Sequence, residues 1–224
     1  MAADGVLNLN FGQQKTLVAG DRLGSVEDQV PAWLAAAYTD VWNAAKWTFK
    51  RVSREAFYTT ADGTSGGTPT ATPVMPAAFA SIRALVDDQG DALTQLAEFD
   101  FESRYTADTT TGRPCYFMVV DRQITLWPTP DAAYLFSLSY NRRIATRTAS
   151  GDDQEGIYQV DGDLPLWDDH HYILVTRAKI IALKNLTDPT AQMLQDEYGR
   201  LLDAMMDEYI EALPRGYQVP AWRP

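Results

Sequence analysis

Both histidines of this 224-residue chain stand in one short run, Trp167-Asp168-Asp169-His170-His171. Aspartate beside histidine is a donor set that zinc and other transition metals accept, so this run is the first candidate for chemistry. It reads as the opening of a helix that begins near Pro165. Adjacent helical residues point about 100° apart, so only Asp168 and His171, three apart, share a face. Further ligands would have to come from Asp152, Asp153, Glu155, Asp161 and Asp163. A plainer reading needs no metal: carboxylates in a first helical turn are stabilised by the helix dipole. The pattern assigns no metal ligand and no cofactor.

The other candidates fare no better. Cys115 is the single cysteine, and a nucleophilic thiol needs a base beside it. It stands in Pro114-Cys115-Tyr116-Phe117-Met118-Val119-Val120, an apolar strand in which a buried small residue is expected. The segment Gly63-Thr64-Ser65-Gly66-Gly67 has the glycines of a phosphate-cradling loop, but no lysine, no preceding apolar strand and no following helix. Without that strand and helix it is not the nucleophile elbow of a serine hydrolase either. Asp161-Gly162-Asp163 resembles part of a calcium loop whose fifth ligand and closing glutamate are out of register. The partners of a glycosidase carboxylate pair meet only in the fold, and no segment carries a sugar-cleft signature. The six tryptophans lie mostly on apolar faces, where core packing is the expected role. No catalytic residue is assigned.

Periodicity supplies the elements that would position these residues. Leu7 to Asn10 reads as a short extended arm, and Thr16 to Leu23 as a short helix ended by Gly24. A stronger helix spans Pro31 to Lys46, with proline at its first position and Trp33, Leu34, Ala37, Tyr38, Val41, Trp42 and Ala45 on one face. Trp47 to Thr60 is extended, with Phe49, Val52, Phe57 and Tyr58 among polar residues. Residues 61–73 hold no large apolar side chain; with Gly63, Gly66, Gly67 and Pro69 they read as an exposed, mobile loop. A helical turn at Pro76–Phe79, a strand at Ser81–Val86, a turn at Asp88–Asp91 and a helix at Leu96–Tyr105 follow. Three clearer strands are Pro114–Val120, Gln123–Trp127 and Tyr134–Tyr140, the first two joined by Asp121-Arg122. Residues 148–156 read as a second polar loop.

Two helices close the chain. One runs from Pro165 to about Asn185. The other has Asp188 to cap it, Pro189 at its first position and Leu194, Tyr198, Leu201, Leu202, Met205, Tyr209 and Ile210 as a stripe. Its opposite face is acidic: Asp196, Glu197, Asp203, Asp207, Glu208 and Glu211. The last residues, 214–224, hold three prolines beside apolar Tyr217, Val219 and Trp222, a tail suited to docking on a partner. The expected fold is α+β: a helical bundle from about residues 25–50 and 163–213, with a small antiparallel β-rich region inserted at 51–150, all one domain.

Charge narrows the function. Thirty acidic residues against 19 basic ones leave a net charge of -11, and the basic residues are scattered. A protein gripping phosphates needs clustered Lys and Arg, so the composition argues against tight DNA binding, whereas a surface that lets DNA pass is compatible. One cysteine allows no intrachain disulfide. Met1-Ala2-Ala3-Asp4-Gly5 has neither the basic start nor the apolar stretch of a signal peptide, and no apolar run approaches the roughly 20 residues that span a bilayer. A soluble, cytoplasmically made protein with no membrane association is expected.

The segment order resembles that of the head-to-tail adaptor proteins of tailed bacteriophages, the group of tail accessory factors and tail tubular ring proteins. The residues that carry the resemblance are Val41-Trp42-Asn43-Ala44-Ala45-Lys46-Trp47-Thr48-Phe49, Met75-Pro76-Ala77-Ala78-Phe79 and Gly112-Arg113-Pro114. They continue through Ile124 to Asp131, the strand ending at Tyr140, and Leu164-Pro165-Leu166-Trp167. The N-terminal arm and the Tyr217–Trp222 tail have no counterpart in that pattern. The resemblance implies a ring, typically a dodecamer, under the portal protein at the head-tail junction of the virion. Such a ring is put together in the host cytoplasm, extends the DNA channel and receives the tail or tail-nozzle protein. It implies no catalytic residues. On this reading Arg215, Tyr217, Val219 and Trp222 dock on portal or a neighbouring subunit, and the 61–73 loop orders on assembly. Alternatives are a carbohydrate-binding or hydrolytic module of a phage tail or bacterial surface, and another virion ring component such as a head-completion or tail-terminator protein.

Overall fold

A computed structural model of the chain describes residues 9–20, 28–58, 75–76, 78–105 and 108–210. Five helices lie among them: α1 (Phe11–Ala19), α2 (Val30–Ala44), α3 (Glu98–Tyr105), α4 (Tyr172–Asn185) and α5 (Thr190–Tyr209). The strands are β1 (Arg51–Tyr58), β2 (Phe79–Asp87), β3 (Thr94–Gln95), β4 (Tyr116–Val120), β5 (Gln123–Trp127), β6 (Leu135–Arg142), β7 (Ala145–Arg147) and β8 (Asp153–Glu155). The class is α+β, as the periodicity predicts. Two compact units divide the chain, one from residues within 1–49 and 146–224, the other from Lys50–Ala145.

The first unit is helical, and α4 is its centre. Ile173, Leu174, Val175, Thr176, Ala178, Ile180 and Ala182 are all buried, so α4 is apolar nearly all round and packs against α1, α2 and α5. From α2, Trp33, Leu34, Ala37, Tyr38, Val41 and Trp42 are buried at three- and four-residue spacing, the face its periodicity predicts. Aromatic rings fill the space between. Tyr38 stacks on Trp167 at 5.0 Å, and Phe49 lies 5.1 Å from Trp167 and 5.6 Å from Trp47. The Trp47 indole N–H donates to Val41 O at 2.7 Å. The Arg177 guanidinium on α4 binds Asp40 on α2 (2.8 Å) and covers the Tyr198 ring on α5 (5.3 Å), so one side chain ties three helices.

Two boundaries differ from expectation. α1 starts at Phe11, not Thr16, because Asn10 and Gln13 form a capping box: each side chain accepts the other's backbone N–H at 2.9 Å. It ends at Gly20, whose φ of 42° is one glycine adopts without strain. α4 starts at Tyr172, not Pro165. Leu164 and Arg147 exchange both backbone hydrogen bonds, at 2.8 and 2.9 Å, which holds the chain extended just before Pro165. His170 then takes a φ of 61°, which no right-handed helix accommodates. Residues 148–156 are not only loop, since Asp153–Glu155 pairs with β7 as a two-stranded ribbon closed by a Thr148–Asp152 turn.

The second unit holds two three-stranded sheets where one antiparallel sheet was expected: β1-β6-β2, all antiparallel, and β3-β4-β5, in which β3 runs parallel to β4. Asp121 and Arg122 both have positive φ, the two-residue turn whose twist matches a hairpin, and β4 and β5 pair across it. Pro128 and Pro130 follow β5 and cannot donate to a ladder, so the chain leaves that sheet and β6 joins the other. One core serves both sheets: Phe57, Leu85, Phe136, Leu138 and Tyr140 meet Phe117, Ile124 and Leu126. The opposite face of β3-β4-β5 carries α3, whose Tyr105 stacks on Tyr116 at 5.8 Å and on Trp127 at 4.1 Å.

Candidate functional site

The Asp–His run was the strongest chemical candidate, and its side chains go separate ways. Arg147 donates to Asp168 at 2.8 Å. His170 and Glu208 pair at 2.8 Å, half-exposed. His171 is buried, 2% exposed, and both ring nitrogens are used. Its Nε2–H donates to Trp167 O at 2.8 Å, and its Nδ1 accepts the Leu9 N–H at 2.8 Å. Nδ1 also lies 3.1 Å from Leu9 O, and the shorter bond from the Leu9 N–H fits a neutral ring protonated on Nε2. Burial also holds the imidazole pKa below its ordinary value, outweighing the hydrogen bonds to Trp167 and Leu9 and the nearby Asp169 and Asp168 charges. Since the run precedes α4, helix-dipole stabilisation of its carboxylates does not apply either; the first turn of α4 has no acidic residue. Among the described residues no three His, Cys, Asp or Glu side chains converge as a metal would need.

Instead, His171 is the anchor of the N-terminal segment. The Gln14 amide donates to Leu9 O at 2.7 Å, and the Tyr158 hydroxyl donates to Gln14 Oε1 at 3.2 Å. Phe11 stacks on Tyr158 at 4.5 Å. The first N–H groups of α1 are taken by the carbonyls of Asp163 and Asp161, both at 2.9 Å. Asp163, fully buried, accepts the Gln159 and Val160 N–H groups at 2.6 and 3.0 Å, a turn and not a calcium loop. Asn10-x-x-Gln13 was the sequence signal for this start; nothing in the sequence links Leu9 to His171, 162 residues away.

In the second unit, Cys115 is exposed, contrary to expectation. The regular strand begins one residue later, at Tyr116, so the alternation that buries Phe117 does not reach it. Desolvation raises its thiol pKa, and its Sγ has no hydrogen-bond partner among the described residues, so nothing activates it as a nucleophile. Its neighbour Arg113 is the hub of a polar lock. The guanidinium binds Asp87 at 2.9 Å, pairs with Asp88 and covers the Tyr134 ring at 5.4 Å. Burial alone would raise the Asp87 carboxyl. The N–H groups of Asp91 (2.8 Å) and Gln89 (3.0 Å), together with Arg113, outweigh it and hold the pKa below its ordinary value.

Four of the six tryptophans (Trp33, Trp42, Trp47 and Trp167) are buried, which fits core packing. Trp127 is half-buried and stacks 4.1 Å from Tyr105. Arg215, Tyr217, Val219 and Trp222 of the tail, and Gly63, Gly66, Gly67 and Pro69 of the 61–73 loop, lie outside the described residues. No described helix is long and apolar enough to cross a membrane.

These interactions hold the fold together, and none assembles a reaction centre among the described residues. A comparison with curated proteins returns no match. A scan of protein-family models does, matching the SU10 adaptor protein family over residues 10–221. That range takes in the clamped start at Asn10, both sheets and α5, and so this chain belongs to the SU10 adaptor protein family of phage head-to-tail adaptors.

Proposed function

We propose that the chain is one subunit of a homo-oligomeric ring, a dodecamer, seated under the portal protein at the head-tail junction. The ring extends the DNA channel and gives the tail or tail-nozzle protein its docking surface. The single observation that carries this reading is the family match over nearly the whole chain. The net charge of -11 agrees with it, because an acidic wall repels DNA phosphates and lets the duplex slide. The units act as one adaptor domain in a structural role, and assembly takes place in the host cytoplasm. Arg215, Tyr217, Val219 and Trp222 dock on portal or on a neighbouring subunit, and the 61–73 loop becomes ordered on assembly.

Electron microscopy of the purified protein mixed with its portal tests the reading. The expected result is a ring of adaptor density on one end of the portal. Portal particles that stay bare at micromolar adaptor would refute it. A hydrolytic or sugar-binding role would need a site of its own, and Asp168 and His171, the residues nearest to one, are committed to Arg147, Leu9 and Trp167.

A further inference from the structure

We propose that the solvent face of the β1-β6-β2 sheet in one copy receives the acidic outer face of α5 from the next copy. This pairing rests on the ring reading above and gives that ring its subunit contact. β6 is the middle strand, and its inward residues Phe136, Leu138 and Tyr140 are buried in the core. Ser137, Ser139 and Asn141 alternate with them and line the opposite face, short side chains that let a helix approach closely. Each flanking strand breaks register beside Ser139. β1 does so between Val52 and Glu55, where Arg54 has a φ of 60° and its N–H donates to Ser139 Oγ at 3.2 Å. β2 does so between Ile82 and Ala84, which makes Arg83 the extra residue. Such bulges mark edge strands and re-aim the side chains they carry. Arg54 and Arg83 are both exposed, and neither guanidinium is ion-paired with another described residue.

α5 offers the counterpart. It rests on α4, and Asp196, Asp203 and Asp207 lie exposed on its outer side with Met193, which is 75% exposed. None of the three carboxylates is ion-paired with another described residue, and Arg200 is the one cation exposed on the helix. Charge follows the same division along the chain. The unit that holds α5 has 19 acidic residues against 10 basic, and the sheet unit 11 against 9. Spacing matches as well. Strands lie about 4.8 Å apart, so two strands flanking a third are about 10 Å apart. Seven helical residues, Asp196 to Asp203, rise about 10.5 Å. Because the two faces differ, the contact is head-to-tail, the kind that repeats around a ring. DNA is the weaker occupant for the sheet face, since the sheet unit is itself net acidic and DNA would leave the α5 carboxylates unmatched.

The test uses two charge-reversal variants of the full chain, Arg54→Glu with Arg83→Glu and Asp196→Lys with Asp203→Lys, each mixed with portal and imaged. Either variant alone is expected to lower the fraction of portals carrying a ring about tenfold or more, because like charges then face each other. An equimolar mixture of the two should recover it, since each reversed face meets its complement on alternating subunits. Wild-type ring yield from either variant alone, or no recovery in the mixture, overturns the pairing. Loss of DNA retention with rings intact also overturns it and assigns the sheet face to DNA. Should a double variant melt early, Arg83→Glu with Asp203→Lys, again separate and mixed, repeats the test on milder changes. A wild-type protein that forms no ring strikes the ring reading itself, whereas indifferent variants strike only this contact.

Discussion

His171 is buried neutral, and that makes it the residue through which mild acid should reach the fold. Burial keeps its folded-state pKa below the unfolded value of about 6.5. The sign follows: the neutral ring's contribution is complete above that value and is lost as pH falls through the folded-state pKa. Thermal melts of the wild type should therefore drop between pH 7.5 and 5.5. His171→Asn is expected to cost about 2 kcal/mol at pH 7.5, from the buried partners it strands, and to flatten that dependence. A variant with the same slope as wild type would place the acid sensitivity elsewhere. Asp87 acts in a lower window. Its carboxyl is depressed below 3.8, so its contribution is present above that value and fades only in stronger acid. Asp87→Ala strands two backbone N–H groups and leaves Arg113 with Asp88 alone, and a loss of about 2–3 kcal/mol in urea unfolding is expected. Cys115 should react with a maleimide in the native protein at pH 8, as its exposure requires; protection until denaturant is added would contradict it. Little of this was legible in sequence. The Asp–His run stood out by residue type, but its partners are long-range ones such as Arg147, Glu208 and Leu9, and no spacing rule reaches that far.

Among the elements, α4 carries the most. Leu174 is fully buried on the helix that α1, α2 and α5 all touch, so Leu174→Ala should cost about 3–5 kcal/mol, read as a lowered denaturant midpoint. Arg177 adds orientation more than energy. Its pair with Asp40 is partly exposed, and a double-mutant cycle of Arg177→Met and Asp40→Asn should return about 1 kcal/mol or less. α2, β5 and α5 were readable because each is governed by local periodicity and turn chemistry. α1 and α4 were misplaced at their starts for opposite reasons. The start of α1 is set by a local signal, the Asn10–Gln13 box, whereas the late start of α4 depends on Leu164 pairing with Arg147, a contact between separate segments.

At the scale of the molecule, removing residues 214–224 should leave the melting temperature unchanged and weaken capture by portal. Portal pull-down at wild-type strength by the truncated protein would count against the tail as a docking element. Asp163, Asp168, His170 and His171 each have a structural partner, and Cys115 has no base beside it among the described residues. From the sequence alone came the α+β class, the acidic balance, most helices and strands, and the segment order that marks a phage adaptor. These rest on composition, 3.6- and 2-residue periods and turn residues, all of which act within a few positions. Only the tertiary structure decided that the β-rich region is two sheets sharing one core, that Cys115 faces solvent, and that His171 clamps Leu9. Strand order and buried hydrogen bonds are settled by which distant segments can fill a core and satisfy each other's polar groups.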